Sequence, residues 1–445
     1  MSKLRSRFVA SVLLVLVLVV GVAAQAQQLS HAVPEEVGLS SARLERLSAV
    51  LTQYVEEEQL PGVVALVARK GRVAYLEAFG HRDRESGAPQ QADDIFRIAS
   101  QTKAIVSVAI MMLQEEGQLL ISHPLGRYLP EFSETTVAVA DGDGNGDGDV
   151  SYDVVPADRA ITIRDLLTHT SGVGYGGGPA SERWAEAGIQ GWYFADRDEP
   201  ILETVARMAG LPFEAQPGER FVYGYSTDIL GAVVGVVSGI SLDEFLRTRI
   251  FEPLGMSDTH FYLPVEKRER FSVVYSAGED GLSPAPAPGG MVGQGAYVHG
   301  PRKSYSGGAG LLSTARDYAR FLQMTLNGGE LDGVRILSRK SIQLMTVNHV
   351  GDLLAANAPG TGFGLGFQIV EDLGARGALG SVGEYGWGGA YHSTYWVDPT
   401  EDLVVVYFSQ LIPANGLDDQ ARLRALVYQA ITDREGSDER NRGRY

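Results

Sequence analysis

The chain contains no cysteine among its 445 residues. This absence excludes disulfides, thiolate catalysis, iron–sulfur clusters, cysteine-ligated zinc and an anchor on a lipidated cysteine. Other motifs are missing too: none of the eight histidines precedes a glutamate, and neither G-x-S-x-G nor G-K-[ST] occurs. Zinc-hydrolase chemistry, the nucleophile elbow of α/β-hydrolases and P-loop nucleotide binding are therefore not indicated.

Positive charge is also scarce, with 38 Lys and Arg residues against 55 Asp and Glu and a formal net charge of −17. A surface of that sign repels phosphate backbones, so nucleic acid is not an expected partner. Hydrophobic residues make up 44% and charged residues 21% of the chain, as is typical of a globular protein.

The N-terminal residues have the pattern of a secretory signal peptide over 1–26. Basic residues occur among the first seven positions, an apolar run covers 8–22, and an A-Q-A sequence ends at Ala26. A retained membrane anchor is the alternative, but the run is short for a span of about 20 residues. We predict cleavage after Ala26, a periplasmic or secreted protein, and no stable membrane insertion of the mature chain.

Helical and strand patterns occur at both ends of the mature chain. Apolar residues at helical spacing predict a helix over 41–58 whose start Ser40 or Ser41 can cap, and Lys70-Gly71 is short enough for a hairpin turn. The same patterns predict strands over 62–68, 72–79, 394–397 and 403–408, and helices over 100–116, 226–237 and 417–432.

These elements predict an α/β (α+β) fold whose sheet is assembled from both ends of the chain. We expect one domain over 27–435, with the sheet region from about 35–100 and 300–435. A mostly helical region over about 101–299 is inserted between them, and 436–445 form a polar tail.

Two stretches have the composition of surface loops, 276–300 and 141–149. The second matches the start of a calcium loop, D-x-D-x-N-G, but its twelfth position is Tyr152 instead of the bidentate glutamate. A solvated acidic loop is the alternative that the missing ligand favours, so no metal is assigned. The candidate calcium ligands are Asp141, Asp143, Asn145, Asp147 and Asp149.

The sequence S-x-x-K occurs once, at 100–103. An extended segment precedes Ser100, which is expected to begin a helix, so Lys103 shares its helix face and lies beside its hydroxyl. A helix N-terminus favours negative charge on that oxygen, and a lysine of lowered pKa can act as a base. The alternative is a helix-capping serine with a lysine reaching solvent, although only five lysines follow residue 26.

Two further patterns can contribute to a site. Tyr223, in PGERFVYGYSTDILG at 217–231, is predicted at a loop–helix junction, where its phenol could move a proton; an ordinary packed tyrosine is the alternative. The glycines of YGWGGA at 385–390 precede an apolar strand and allow close approach to the backbone. Exposed N–H groups there could form half of an oxyanion hole, whereas a bulge or hairpin is the alternative.

Together and in this order, the three motifs resemble the serine β-lactamase and penicillin-binding protein superfamily, especially its class C-like esterase branch, the family VIII carboxylesterases. The motifs are SQTK, YGY at 223–225 and WGG at 387–389, the last where many relatives have K-T-G or H-x-G. The resemblance covers about 35–430. Supporting phrases are ITIRDLLTHTSGVGYG (161–176), FEPLGMSDTHF (251–261), SGGAGLLSTARDYARFL (306–322) and WGGAYHSTYWVDP (387–399).

The resemblance implies an antiparallel sheet flanked by helices, a helical subdomain, and a site between them. It also implies roles: Ser100 as the acylated nucleophile, Lys103 and Tyr223 sharing proton transfer, and the N–H groups of Ser100 and Ala390 forming the oxyanion hole. The phrase LLTHTSG suggests a Ser–His pair of His169 with its neighbour at 171, but in relatives it is structural.

Departures from the superfamily pattern concern the substrate. Tyr225 stands where β-lactamases and peptidases have Asn, and Trp387 where they have a carboxylate-binding lysine; Gly388 and Gly389 complete the expected substrate-binding set. A lost charged contact costs about 1.5–3 kcal/mol, roughly 10–100-fold in binding. Penicillins and cell-wall peptides carry a carboxylate whereas neutral esters do not, and an indole suits an apolar group.

The sequence therefore predicts an exported serine hydrolase of small to medium carboxylic esters that needs no cofactor and whose partner is a small-molecule ester. The enzymatic alternatives are a class C-like β-lactamase, a D-amino-acid peptidase or amidase, and acyl transfer to an acceptor other than water. A silent binding protein of the cell envelope is the non-enzymatic alternative, although it need not retain Ser100, Lys103 and Tyr223.

Overall fold

The computed structural model describes residues 29–140, 151–414 and 416–433. The predicted signal peptide over 1–26, the candidate calcium loop over 141–149 and the polar tail over 436–445 lie outside the described residues.

The first helix and hairpin follow directly from the local sequence. Helix α1 spans Ser41–Glu56, and the Ser40 hydroxyl caps it by accepting a hydrogen bond from the Arg43 N–H at 3.3 Å. Strands β1 (Gly62–Arg69) and β2 (Arg72–Asp83) pair antiparallel across Lys70 and Gly71. Both turn residues have positive φ, 52° and 73°, as a tight two-residue hairpin turn requires.

The central sheet has eight strands in the order β12-β13-β14-β15-β16-β1-β2-β3, and neighbouring strands are antiparallel. Its strands come from both ends of the chain, since β1–β3 precede residue 90 and β12–β16 follow residue 360. The predicted α/β (α+β) fold class is confirmed. The described strands are β1 and β2 as above, β3 Ala88–Pro89, β4 Phe96–Arg97, β5 Thr136–Ala140, β6 Tyr152–Pro156, β7 Tyr275–Gly278, β8 Gly281–Pro284, β9 Leu312–Ser313, β10 Glu330–Leu331, β11 Val334–Arg335, β12 Thr361–Phe363, β13 Gln368–Val370, β14 Tyr385–Gly389, β15 Ser393–Asp398 and β16 Leu403–Ser409.

Helices cover both faces of this sheet. In β1, Val64 and Leu66 face the larger hydrophobic core, whereas Val63 and Val67 face a second core formed with α1 and the C-terminal helix. Alternate residues of a strand point to opposite faces, so a strand covered on both sides is apolar throughout. The described helices after α1 are α2 Thr102–Glu115, α3 Ile163–Leu167, α4 Ser181–Glu186, α5 Ile201–Met208, α6 Ser226–Ser238, α7 Leu242–Leu246, α8 Glu252–Leu254, α9 Ala315–Leu326, α10 Arg339–Met345, α11 Leu373–Arg376 and α12 Asp419–Tyr428.

The region between the two sheet-forming segments contains the helices α2–α10, of which α2–α8 lie within 101–299. The stretch 276–300, predicted as a loop, instead includes most of the β7–β8 hairpin and a 3₁₀ turn at Gly290–Val292. No single helix in the described part of the chain is long and apolar enough to cross a bilayer; a bent pair, Ser226–Ser238 with Leu242–Leu254, passes that test only jointly.

Candidate functional site

Ser100 lies on a strained turn between strand β4 and helix α2. The Ile98 N–H donates to Leu311 O at 3.1 Å, which holds the end of β4 against the chain before β9. Ala99 follows with φ 43°, a left-handed conformation that costs a non-glycine residue about 1–3 kcal/mol. We expected Ser100 to begin the α-helix, but it occupies a 3₁₀ turn, Ala99–Gln101, and α2 begins at Thr102.

Long-range hydrogen bonds fix this turn from two sides. The Gln101 amide donates to Ser393 Oγ at 3.0 Å, which joins the turn to strand β15. The Tyr318 hydroxyl of α9 donates to Gln101 O at 2.9 Å, and the Leu311 N–H donates to Thr102 Oγ1 at 3.1 Å. The strained backbone before Ser100 is thus held by partners far away in the sequence.

Lys103 lies beside Ser100, as its position three residues later predicts. Its Nζ is 3.4 Å from Ser100 Oγ, 2.9 Å from the Tyr175 hydroxyl and 2.7 Å from Gly308 O. The residue is only 3% exposed. The alternative of a lysine reaching into solvent is therefore excluded by the structure.

Asp228 supports the loop that contacts Lys103. Its Oδ1 accepts hydrogen bonds from Ser306 Oγ at 2.6 Å and from the Gly308 N–H at 3.0 Å. The carboxyl is fully buried, and burial raises its pKa while the Lys103 ammonium counteracts that rise. Asp228 thus orients Gly308 O toward Lys103 and supplies negative charge near a buried cation.

Tyr175 belongs to this cluster, although sequence reasoning did not single it out. Its hydroxyl contacts Lys103 Nζ at 2.9 Å, on the same ammonium group that lies beside Ser100. Burial, followed by the charges of Tyr223 and Asp228, raises the pKa of Tyr175 well above its usual value, so it is a neutral phenol at ordinary pH. Its place in the phrase THTSGVGYG was the available signal, but the chain has 19 tyrosines.

Tyr223 lies on the other side of Lys103, immediately before α6, at the loop–helix junction that the sequence predicts. Lys103 Nζ lies 4.6 Å from the centroid of the Tyr223 ring, over its face. The Tyr223 hydroxyl accepts a hydrogen bond from Trp387 Nε1 at 2.8 Å. The second and third motifs are therefore in direct contact, and the indole N–H is already engaged by a phenol oxygen.

His169 packs beneath Tyr223 and does not pair with Ser171. Its ring lies 4.7 Å from that of Tyr223 and 5.6 Å from that of Phe363. Burial and the nearby Lys103 charge hold the His169 pKa well below its usual value, so the ring is neutral. Ser171 Oγ instead hydrogen-bonds Ser226 Oγ at 2.9 Å. Both residues are thus structural, as the resemblance implies.

The glycines of the third motif bring strand β14 against the Ser100 turn. A Cβ atom on Gly389 would lie 2.5 Å from Ile98 O, so a larger residue there would force the strand and the turn apart. Gly388 also lines the cavity, and Ala390 is exposed to it at the end of the strand. No hydrogen-bond partner for the Ala390 N–H is found among the described residues.

The predicted contact of Tyr225 with substrate is wrong. Tyr225 is fully buried, its ring stacks on Trp184 at 5.8 Å, and its hydroxyl donates to Gly191 O at 2.7 Å. It does not line the cavity beside Ser100. Tyr225 points into the helical region because its ring packs on the Trp184 ring there and its hydroxyl finds a backbone carbonyl acceptor, Gly191 O.

A cavity of about 720 Å³ opens onto these groups. Its lining includes Ser100, Tyr175, Trp192, Tyr223, Trp387 and Ala390. The arginines in that lining, Arg376 and Arg424, both pair with the buried Glu384, at 3.0 and 2.7 Å. His392 hydrogen-bonds Asp419 at 2.8 Å. The cationic side chains that line the cavity wall therefore already have acidic partners.

A serine contacted by a buried lysine, with two phenols next to that lysine, is the arrangement expected of an S-x-x-K serine hydrolase. The beta-lactamase family profile matches residues 47–429. The chain belongs to the beta-lactamase family. The resemblance inferred from the three motifs is thereby confirmed.

Individual relatives within this family agree with the match. Esterase EstB from Burkholderia gladioli is 34% identical over 393 residues, which cover 84% of this chain and 92% of EstB. Lovastatin esterase from Penicillium rubens is 30% identical over 376 residues, covering 80% of this chain and 90% of the relative. The solved structure of EstCE1, described as a hydrolase with promiscuous acyltransferase activity, superposes with a TM-score of 0.74 at 27% identity, covering 87% of this chain and 98% of EstCE1.

Proposed function

We propose that the chain hydrolyses small to medium carboxylic esters through an acyl-enzyme on Ser100. The enzyme class, a serine hydrolase of the carboxylesterase type, follows from the family and from the esterases among its relatives. The observation that supports the nucleophile is the contact of Ser100 Oγ with Lys103 Nζ, which also contacts the Tyr175 hydroxyl, at a position that opens onto a cavity of about 720 Å³.

In the proposed reaction, the pair formed by Lys103 and Tyr223 starts one proton short of full protonation, either as a neutral amine or as a phenolate beside the ammonium. Ser100 Oγ attacks the ester carbonyl carbon while its proton passes to this pair. The oxyanion accepts hydrogen bonds from the N–H groups of Ser100 and Ala390. The alcohol leaves with a proton from the same pair, and an ester to Ser100 remains. Water then attacks this ester while one of its protons passes to the Lys103–Tyr223 pair. The pair returns a proton to Ser100 Oγ, and the carboxylic acid is released.

The substrate class is inferred from the cavity wall. Trp387 occupies the place of a carboxylate-binding lysine, and its N–H is already used by Tyr223. The arginines in the wall are paired with Glu384. A substrate carboxylate gains little from paired cations, whereas the aromatic wall of Trp192 and Trp387 favours a neutral, apolar group. Neutral esters meet these conditions better than penicillins or cell-wall peptides.

The test compares the purified chain with a Ser100→Ala variant on p-nitrophenyl butyrate and a chromogenic cephalosporin. We expect ester turnover that the variant lacks, and cephalosporin turnover weaker by about 100-fold, the effect of a lost charged contact. Efficient cephalosporin turnover would overturn the substrate class and leave the nucleophile in place. Ester turnover that persists in the variant would overturn the role of Ser100.

We also propose export, on the basis of the N-terminal sequence alone. Cleavage after Ala26 would give a mature chain that begins at Gln27 in the periplasm or the medium. N-terminal sequencing of the fractionated protein tests this, and an intact Met1 in a membrane fraction would contradict it.

A further inference from the structure

A second cavity, of about 560 Å³, lies next to the strand that leads into the Ser100 turn. We call it the Arg97 cavity; its wall includes Arg97, Arg268, Phe271, Val273, Val298 and His299. Arg97 is 3% exposed whereas His299 is exposed, so the guanidinium lies at the inner end and the histidine at the mouth. Most of the remaining wall is apolar.

Arg97 is a buried cation that has no acidic partner among the described residues and whose guanidinium lies 3.8 Å from the centroid of the Phe271 ring. Its guanidinium donates to neutral oxygens, Ser272 O at 2.7 Å, Gln294 O at 2.8 Å and Gln410 Oε1 at 3.0 Å. Burial lowers its pKa to about 10, which still leaves it charged at neutral pH. The wall of the Arg97 cavity contains no Asp or Glu, although acidic residues outnumber basic ones in the chain.

Donor groups in this cavity remain without good acceptors. Arg97 Nη2 has one long contact, to Gln294 Oε1 at 3.4 Å. The buried Nε of Arg268 has no hydrogen-bond partner, and Arg268 has no ion pair within the described ranges. Buried charges and donors are costly when left unpaired. An anion that entered the cavity would meet both guanidinium groups.

We infer that the Arg97 cavity binds an amphiphilic carboxylate, a carboxylic acid with an alkyl or aryl chain of medium length. The two guanidinium groups would hold the carboxylate, since arginine matches that group with paired N–H donors. Phe271, Val273 and Val298 would contact the apolar chain. The volume lies in the range of small-molecule sites, about 300–1,000 Å³. This inference does not depend on the chemistry at Ser100.

A cavity elsewhere on the protein offers a matched control. It has a volume of about 540 Å³, and its mostly apolar wall includes Ile201 and Val236 together with one lysine, Lys303. Lys303, however, pairs with Asp198 at 2.8 Å. Arg302 also lines this control cavity and donates to Leu263 O at 2.7 Å. The Lys303→Gln variant therefore removes an acid-paired cation from a cavity of similar size, and it tests whether loss of any cavity cation weakens octanoate binding.

The experiment titrates the full chain with octanoate and with octanol by isothermal calorimetry. Octanoate is expected to bind the unmodified chain saturably. Its affinity should fall by at least about tenfold in Arg268→Gln and stay unchanged in Lys303→Gln. Octanol should bind the unmodified chain at least about tenfold more weakly than octanoate. Arg268 is partly exposed, so its variant is expected to fold, and its melting temperature is measured alongside. No saturable octanoate binding, or equal binding in Arg268→Gln, overturns the inference.

A second arm separates this cavity from the site at Ser100. The titration is repeated after Ser100 has been blocked with a fluorophosphonate, and octanoate affinity is expected to stay the same. Displacement of octanoate by the label would assign the binding to the Ser100 cavity and overturn the inference. Failure of the label to react would instead count against the proposed function, and the Arg268→Gln comparison would still decide the inference.

Discussion

Two buried cations stand three residues to either side of Ser100, and their surroundings differ. Lys103 and Arg97 are each 3% exposed. Lys103 contacts the hydroxyls of Ser100 and Tyr175, and the charge of Asp228 acts on it from behind. Arg97 donates only to neutral carbonyl and amide oxygens. Equal burial therefore does not indicate equal function; the groups that a buried cation touches determine what it can do.

The largest effect is expected from removing the cation beside the nucleophile. Lys103→Gln should lower kcat for p-nitrophenyl butyrate by on the order of 10³-fold or more, because the serine loses its proton-transfer partner. Lys340→Gln, at an exposed lysine bonded only to Gln343 among the described residues, is the control and should leave kcat unchanged. A Lys103→Gln enzyme with normal turnover would remove Lys103 from the mechanism.

The two phenols next to Lys103 can be separated by their effects on kcat. Tyr223→Phe should lower kcat by about 10²–10⁴-fold, the range for loss of a general acid or base. Tyr175→Phe should cost about 10–100-fold, since it loses a hydrogen bond to a charged group. Steady-state kinetics with matched melting curves measure both. The reverse order would transfer the main proton-transfer role to Tyr175, whose hydroxyl contacts Lys103.

A cation added to the cavity wall tests whether Trp387 sets the preference for neutral esters over substrates with a carboxylate. Trp387→Lys should raise cephalosporin turnover relative to ester turnover by about 10–100-fold, because the new charge can hold the substrate carboxylate. It also removes the hydrogen bond to Tyr223, so absolute ester turnover should fall. An unchanged ratio of the two activities would mean that Trp387 does not set the preference.

Asp228 is the acidic group that distinguishes the surroundings of Lys103 from those of Arg97. In Asp228→Asn the amide oxygen can still accept from Ser306 and Gly308, but the negative charge is lost. Because a negative charge favours the protonated form of its neighbours, we expect the acidic limb of the kcat/KM profile to move to lower pH. A loss of kcat of about tenfold should accompany it. A profile that keeps its position would show that this charge does not act on the catalytic groups.

The smallest effect concerns stability at acid pH. The pKa of His169 is held low in the folded chain, by burial first and then by Lys103, so the unfolded chain binds the proton more readily. Stability from this residue is present above about pH 6.5 and is lost as the pH falls. Replacing it in His169→Phe should flatten the decline in unfolding free energy between pH 7 and 5 by up to about 2 kcal/mol. Urea unfolding at each pH measures the slope, and an unchanged slope would contradict this account.

Local patterns were sufficient where the contacts are local. The cap of α1, the Lys70-Gly71 hairpin and the position of Lys103 next to Ser100 each depend on residues within about one helical turn or one tight turn. The three motifs also indicate the family from the sequence alone, because their order and residue types are specific. The start of α2 was placed two residues early, since the strain at Ala99 comes from distant partners.

The sequence by itself indicated four of the eight strands of the central sheet, β1, β2, β15 and β16, and the helices α1, α2, α6 and α12. It also indicated the nucleophile candidate and its lysine, because periodic patterns and short spacings encode these features. Only the tertiary structure decided that Tyr175 reaches Lys103, that Tyr225 is buried, and that Arg97 lies in a cavity without an acidic partner. These facts depend on contacts between residues distant in the chain. Which of many tyrosines or arginines meets a given cavity is fixed by packing, and packing is not encoded in any local spacing.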